Sequence, residues 1–227
     1  LIKDKLIVSS TPTINKTISN QTNYFVFLQH TLLRLTNKYT KEHIKHFDKI
    51  TVSSKDQEDE CCNLLKIDKS KLLSYKYHNL EFITNQNNGN YNNNEKPIIL
   101  MASSFYGNNL LKLIDENLIK YISKHYRIIF RPHPENFKDQ ELLKKIEDFE
   151  IKFGKSIFEI SNDTSNKEII DKSNYLITDF SGIALTFSYR KLLPTIFIIK
   201  DQNDNILLNE NYYKNTLKNI GIQINYS

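Results

Sequence analysis

The chain has 227 residues, of which 25% are charged and 39% are hydrophobic, with five glycines and five prolines. This length suffices for one large domain or two small ones, and the low Gly and Pro content argues against a globally disordered chain. The longest apolar runs, such as Ile196 to Ile199, are far shorter than the roughly 18 residues that span a bilayer. The net charge is +5, but no block of Lys and Arg with interleaved aromatic residues stands out, so we do not expect nucleic acid as a partner.

The chain begins with Leu1 and not with Met, and no charged-then-apolar signal segment opens it. We therefore expect a trimmed piece of a longer protein. Its two cysteines, Cys61 and Cys62, are adjacent, which suits neither an ordinary disulfide nor a structural zinc site. A reducing, cytoplasmic compartment fits this usage best, and we expect Cys61 and Cys62 to be inert. We also expect no bound metal and no cofactor.

Short β-branched or aromatic runs alternate with longer segments of helical period, which is typical of βαβ units around a parallel sheet. The pattern predicts strands at Lys5–Ser9, Tyr24–Gln29, Lys49–Ser53, Leu72–Tyr77, Pro97–Ala102, Arg127–Arg131, Tyr175–Thr178 and Thr195–Ile199. It predicts helices at Lys55–Leu65, Asn108–Lys124, Lys138–Asp148, Asn166–Ser173 and Ser181–Lys191. The fold class that follows is α/β.

An Asn-rich stretch separates the two sets of elements. Seven of the ten residues from Asn85 to Asn94 are Asn, and the stretch has no apolar periodicity. We predict that residues 85–96 form a linker between a first domain at 1–84 and a second at 97–227. A long insertion within a single domain is the alternative.

The first candidate motif is Arg131-Pro-His-Pro134, which follows three apolar strand residues. The two prolines stop the strand and restrict the backbone beside His133. Arg131 and His133 are thus predicted at the carboxyl end of a parallel strand, where open α/β sheets bind ligands. Arg offers a fork of donors for phosphate oxygens, and His can donate a hydrogen bond or move a proton. A strand-ending turn with an exposed His is the structural alternative.

The second candidate motif runs from a predicted strand into Thr178 and Asp179, and then into Ser181 and Gly182 at the start of a helix. Unsatisfied N–H groups and the helix dipole make such a junction an anion site. Gly182 would let a phosphate approach the backbone, and Ser181 would add a hydroxyl donor. The structural alternative is an ordinary Asp or Ser cap.

Two weaker candidates lie at other strand ends. Ser103 and Ser104 follow the predicted strand Pro97–Ala102 and are suited to contact a substrate, although simple N-capping is the alternative. His30 follows a strand in the first half of the chain, where a structural role is the alternative.

Taken in order, these motifs resemble the CDP-glycerol glycerophosphotransferase family of bacterial wall and capsule polymer synthesis. The resemblance spans about Tyr24 to Lys200, and its most specific parts are the His-Pro motif and Ile177-Thr-Asp-Phe-Ser-Gly182. Capsule Kdo transferases have similar His-Pro patterns. The resemblance implies a GT-B fold of two Rossmann-like domains, of which the first is truncated. Whether the C-terminal end is also truncated is left open.

The resemblance also implies roles for the candidate residues. The family's donor site maps onto His133 and onto Ser181 and Gly182, with Arg131 and Asp179 beside the pyrophosphate. The family's proposed base for the acceptor hydroxyl maps onto His30, although the family has Gly where this chain has Thr31. Thr178, Ser103 and Ser104 complete the substrate-binding set, the serines falling where the family has a short polar loop.

The function implied is that of a transferase, which moves glycerol phosphate or a related polyol phosphate or sugar from a CDP- or CMP-linked donor. The acceptor would be a growing surface polymer or a lipid-linked chain, and peripheral contact with the cytoplasmic face of the inner membrane is compatible with this. One alternative is a Kdo or other nucleotide-sugar glycosyltransferase of capsule synthesis. The other is a non-catalytic nucleotide-binding or scaffold domain of a larger capsule protein.

Overall fold

The computed structural model describes residues 5–12, 23–30, 32, 35–37, 39–75, 96–104, 110–161, 166–179, 181–200 and 218–226. The chain divides into two compact units, Leu1–Phe82 and Ile83–Ser227. Of the predicted linker, residues 85–95 lie outside the described residues.

The first unit is built on a parallel sheet of four strands in the order β1-β2-β3-β4. The strands are β1 (Leu6–Ser9), β2 (Tyr24–Phe27), β3 (Lys49–Val52) and β4 (Leu72–Ser74). Its helices are α1 (Lys41–Ile44) and α2 (Lys55–Asn63), with 3₁₀ turns at Leu35–Asn37 and Lys69–Lys71.

The core of the first unit contains Phe27, Phe47 and Ile50, all fully buried. Cys61 is part of this core, and burial raises the pKa of its thiol to about 12. Because the thiolate is the reactive form, Cys61 is inert at neutral pH.

The second unit is built on a parallel sheet of six strands in the order β10-β9-β8-β5-β6-β7. The strands are β5 (Ile98–Ala102), β6 (Arg127–Arg131), β7 (Phe158–Ile160), β8 (Tyr175–Thr178), β9 (Thr195–Lys200) and β10 (Gly221–Tyr226). The helices are α3 (Leu110–Leu113), α4 (Glu116–Ile122), α5 (Gln140–Phe153), α6 (Asn166–Lys172) and α7 (Ile183–Lys191), with a 3₁₀ turn at Pro134–Lys138.

Helices cover both faces of this second sheet. Alternate residues of a strand point to opposite faces, and β5 follows this rule. Ile99 and Met101 belong to the core formed with α3, α4 and α5, whereas Leu100 and Ala102 belong to the core formed with α6 and α7. Strands buried on both faces explain the nearly continuous apolar runs in the sequence. The prediction of an α/β fold with parallel sheets is confirmed.

One predicted helix differs in the structure. The apolar stripe of 108–124 predicts one continuous helix, but the described part forms two, α3 and α4. The break lies at Asp115, whose extended backbone and carboxylate cap the new helix by accepting the N–H of Leu118 at 2.8 Å. Ile114, just before the break, is still buried, so the apolar stripe continues although the helix is interrupted.

Two strands, β7 and β10, were not among those predicted. The first of them follows Gly154, which ends α5 in a backbone conformation with φ of 77° that suits glycine. Gly221 begins β10 against β9, and a Cβ there would lie 2.1 Å from the carbonyl oxygen of Thr195. Only glycine permits this close approach of the two strands.

Candidate functional site

The carboxyl ends of β8, β5 and β6 lie side by side in the second sheet. From β5 the chain adds β6 and β7 on one side, and then returns to add β8, β9 and β10 on the other. This reversal between β5 and β8 is the topological switch point at which open α/β sheets bind ligands. Eight of the nine candidate residues of the sequence analysis lie at this edge, and His30 lies in the first unit.

His133 is half-buried directly after β6, where it caps the 3₁₀ turn that follows. Its ring Nδ1 accepts the backbone N–H of Glu135 at 3.1 Å. In a neutral imidazole this acceptor leaves the proton on Nε2. His133 is therefore arranged as an Nε2–H donor, which is the form that can bind a phosphate oxygen. Arg131, at the end of the same strand, is half-buried.

Asn136 was missed by the sequence analysis, and it links the ends of two strands. Its buried Oδ1 accepts the hydroxyl of Ser103 at 2.9 Å and the backbone N–H of His133 at 2.8 Å. Ser103 follows β5 and His133 follows β6, so this single oxygen sets the spacing between the two candidates. A signal for it was present, because a polar amide three residues after a capping residue is the pattern of a capping box.

Asp179 and Thr178 are buried and bind the protein itself. The Thr178 hydroxyl donates to the carbonyl of Ala102 at 2.6 Å, which ties β8 to β5. The Asp179 carboxylate accepts the backbone N–H of Ser104 at 2.8 and 3.0 Å and that of Leu110 at 2.6 Å. Desolvation by burial raises the pKa of Asp179 to about 6, against the effect of these hydrogen bonds. Asp179 thus holds both ends of the connection between β5 and α3.

Ser103 and Ser104 are themselves buried, and the N–H of Ser103 donates to the carbonyl of Arg131 at 3.3 Å. Ser103 therefore joins the carboxyl ends of β5 and β6, whereas Ser104 joins β5 to Asp179 after β8.

The helix α7 begins at Ile183, two residues after the predicted start. Gly182 occupies the N-cap position and has no side chain to satisfy the first N–H groups of the helix. Ser181 is half-buried, and its carbonyl accepts the N–H of Ala184 at 3.1 Å. A helix start without a side-chain cap, at the carboxyl edge of the sheet, can receive the oxygens of an anion.

His30 lies at the carboxyl end of β2 in the first unit and is exposed. The preceding residue, Gln29, is fully buried and holds this backbone in place. Its N–H donates to the Thr51 hydroxyl at 3.0 Å, and its side-chain amide donates to Ser53 at 3.2 Å and to Gln57 at 3.1 Å. Gln29 is not among the site residues predicted from the sequence.

Among the described residues, no group of three or more His, Cys, Asp and Glu side chains is placed to hold a metal ion. Within the same part of the chain, no helix has the length and apolar character needed to cross a bilayer.

No family model and no curated protein matches the chain. Solved structures do. A variant of the wall teichoic acid polymerase TagF matches with a TM-score of 0.59 and 17% identity, over 85% of this chain and 53% of that chain. A TagF variant soaked with CDPG matches with a TM-score of 0.56 and 13% identity, over 85% and 52%. The pneumococcal O-GlcNAc transferase GtfA, in complex with UDP and GlcNAc, matches with a TM-score of 0.53 and 13% identity, over 87% and 42%.

The chain therefore spans about half the length of the TagF structures that it resembles. At these identities the similarity is one of fold. The resemblance to the CDP-glycerol glycerophosphotransferase family is confirmed at that level, and the chain has the α/β fold of GT-B glycosyltransferases.

Proposed function

We propose that the chain contributes the donor site of a GT-B transferase that takes its group from a nucleotide-linked donor. The observation that carries the proposal is the arrangement at the switch point of the second sheet. There the guanidinium of Arg131 and the Nε2–H of His133 lie at the end of β6, and the uncapped start of α7 follows β8. The strands β6 and β8 flank β5 in the sheet. Cationic and N–H donors of this kind suit a pyrophosphate.

We propose CDP-glycerol as the donor, which the sequence motifs and the fold shared with TagF support. The acceptor hydroxyl oxygen would attack the β-phosphorus of the donor, forming a new P–O bond while the bond to CMP breaks. The hydroxyl proton would pass to His30, and CMP would leave with the bonding electron pair. Arg131, His133 and the start of α7 would stabilise the negative charge on the pyrophosphate, since phosphoryl transfer depends mainly on positioning and electrostatics.

In this proposal Ser103, Ser104, Thr178 and Asp179 support the site. The Ser103 hydroxyl donates to Asn136, the Ser104 N–H donates to the Asp179 carboxylate, and the Thr178 hydroxyl donates to the carbonyl of Ala102. Ser181 and Gly182 are assigned to the phosphate contact itself. The acceptor would be a surface polymer or a lipid-linked chain.

The test is calorimetric titration of the 227-residue chain with CDP-glycerol, CMP-Kdo, UDP-sugars and CMP. The informative variant is His133→Asn, since an Asn oxygen can still accept the Glu135 N–H and cap the turn while the Nε2–H donor is lost. We expect its affinity for CDP-glycerol to fall about 10- to 100-fold. The matched control is His125→Asn, which changes an exposed histidine of the same unit and should bind like the wild type.

Other outcomes of the titration would contradict the proposal or favour another function. Equal binding by wild type and His133→Asn would contradict the placement of the donor. Preference for a UDP-sugar would favour a hexose transferase of the same fold, a candidate that the likeness to GtfA supports. No binding of any nucleotide by a folded chain would reject the donor site and favour a scaffold domain. A His30→Asn variant that binds the donor but does not turn over would support the proposed base.

A further inference from the structure

Two buried polar side chains of the helix α2 bind the chain on either side of His30. Gln57 and Glu60 lie three residues apart, so they occupy the same face of the helix, and only 1% and 6% of their surfaces are exposed. The burial of such groups is unfavourable unless they find hydrogen-bond partners. Their partners include residues before and after His30, whereas the neighbouring Cys61 packs in the apolar core of the unit.

On the amino-terminal side, Gln57 holds Gln29, the residue before His30. The Oε1 atom of Gln57 accepts the side-chain amide of Gln29 at 3.1 Å, and it also accepts the hydroxyl and the backbone N–H of Ser53, both at 2.9 Å. The backbone of Gln57 is fixed as well, because its N–H donates to the Ser54 hydroxyl at 3.2 Å. One amide oxygen therefore ties Gln29 to the chain that joins β3 to α2.

The backbone of Gln29 has a further anchor in β3. The buried Thr51 hydroxyl accepts the N–H of Gln29 at 3.0 Å and donates to the carbonyl of Phe27 at 3.2 Å. The last ladder pair between β2 and β3 is Phe27 with Ile50. This side chain therefore extends the link between the two strands up to the residue before His30.

On the carboxyl-terminal side, Glu60 holds the 3₁₀ turn Leu35–Asn37, which follows His30 in the chain. Its two carboxylate oxygens accept the backbone N–H groups of Leu35 and Thr36, each at 2.9 Å, and it also accepts the Thr36 hydroxyl. The first N–H groups of a helical turn have no partner within the turn. Glu60 supplies that partner and so fixes the start of the turn against α2.

From these contacts we infer that Gln57 and Glu60 are positioning residues, which fix His30 by holding the chain before and after it. The inference rests on the proposed role of His30 as the base. His30 is exposed, so these buried anchors supply a rigidity that its own burial does not. A base must lie within reach of the proton that it removes, and a misplacement of about 1 Å can lower the rate about 100-fold.

The first measurement is ¹⁵N relaxation of the 227-residue chain, which gives the order parameter of the His30 backbone amide. We expect about 0.85 in the wild type and less than about 0.6 in Gln57→Ala and in Glu60→Ala, because each variant loses one anchor. Glu60→Gln keeps one acceptor oxygen, so both its order parameter and its stability should fall less. The matched control is Asp48→Ala, since Asp48 accepts the N–H of Phe25 at 2.7 Å at the opposite end of β2. It should leave the order parameter of His30 unchanged.

The second measurement is the release of CMP from CDP-glycerol with a glycerol phosphate primer as acceptor. We expect kcat to fall about 10- to 100-fold in Gln57→Ala and in Glu60→Ala. The affinity for CDP-glycerol, measured by calorimetry, should stay the same, because the proposed donor residues lie in the second unit. Asp48→Ala loses a comparable hydrogen bond of the same unit and should keep the kcat of the wild type.

Two sets of results would overturn the inference. The first is an order parameter of His30 that is below about 0.6 in the wild type, or that is the same in the wild type and both alanine variants. The second is an unchanged kcat in variants that have lost the order of His30, or an equal loss of kcat in Asp48→Ala. A wild type that holds His30 rigidly and binds CDP-glycerol but releases no CMP would contradict the proposed base alone. The fall of the order parameter in the two alanine variants would still confirm the positioning.

Discussion

Asp179 and Ser104 are 75 residues apart in the chain, yet both carboxylate oxygens of Asp179 accept the backbone N–H of Ser104, at 2.8 and 3.0 Å. A second backbone donor, Leu110, shares one of these oxygens at 2.6 Å. The buried carboxylate therefore closes the connection that leaves β5 at the candidate donor site. Asp179 therefore positions the backbone of Ser104 and Leu110 at the edge of the sheet.

We expect Asp179→Ala to lower the free energy of unfolding by about 2 to 4 kcal/mol, because the N–H groups of Ser104 and Leu110 would remain buried without their acceptor. Denaturant titration of the whole chain measures this. Asp115→Ala is the control, since that exposed cap receives the N–H of Leu118 and its loss should cost about 1 kcal/mol. Equal losses of unfolding free energy in the two variants would show that the buried hydrogen bonds of Asp179 stabilise the fold no more than an exposed helix cap does.

The pKa of Asp179 predicts a pH dependence of stability. Burial raises this pKa to about 6 from an ordinary value of 3.8, so the folded chain holds the proton more tightly than the unfolded chain does. The contribution of this proton to the free energy of unfolding is complete below about pH 4 and is lost as the pH rises through about 6. The free energy of unfolding should fall by about 3 kcal/mol over this range.

The measurement is the difference in unfolding free energy between wild type and Asp179→Asn across this pH range. Asn does not titrate, and the other carboxylates of the chain cancel in the difference. We expect the wild type to lose stability relative to the variant as the pH rises. A constant difference would contradict the raised pKa.

Asn136 should control the affinity for nucleotide without touching it. Asn136→Ala removes the acceptor shared by Ser103 and the backbone of His133, and should cost about 1 to 3 kcal/mol of stability together with a weaker donor affinity. Asn174→Ala is the matched change at the other edge of the sheet, where Oδ1 accepts the N–H of Ile98 at 2.8 Å. Calorimetry should find weakened nucleotide binding only for Asn136→Ala; the same weakening in both would refute a positioning role.

The ion pair between Asp171 and Arg190 should dominate the electrostatic contribution to the stability of the second unit. It is bidentate, at 2.6 and 2.7 Å, and the Arg190 side chain is only 4% exposed. Asp171→Ala would leave a buried guanidinium unpaired and should cost about 3 to 5 kcal/mol. Glu159→Ala breaks the more exposed pair with Arg127 and should cost about 1 kcal/mol or less. Thermal unfolding of the two variants measures both stability losses. A smaller loss of stability for Asp171→Ala than for Glu159→Ala would contradict the prediction.

The strands of the fold could be predicted because their signal is local. β6 and β8 have the bounds that the apolar runs indicate, and β5 differs by one residue. The helix expected over 108–124 could not be predicted as two, because its apolar stripe continues through Ile114 although Asp115 caps a new helix there. At Asp115 the local cap outweighs the apolar periodicity, since the Asp115 carboxylate directly accepts a backbone N–H at the start of the new helix.

The sequence by itself determined the class of the fold and the residue types at the strand ends, since alternation of elements and the prolines around His133 are local features. Only the tertiary structure decided which strand ends are neighbours and which side chains face inward. Asp179 meets Ser104, and Asn136 joins Ser103 to His133, through hydrogen bonds that exist only once β8, β5 and β6 lie side by side. The physical reason is that burial and long-range hydrogen bonding depend on strand order, which no short segment of the chain specifies.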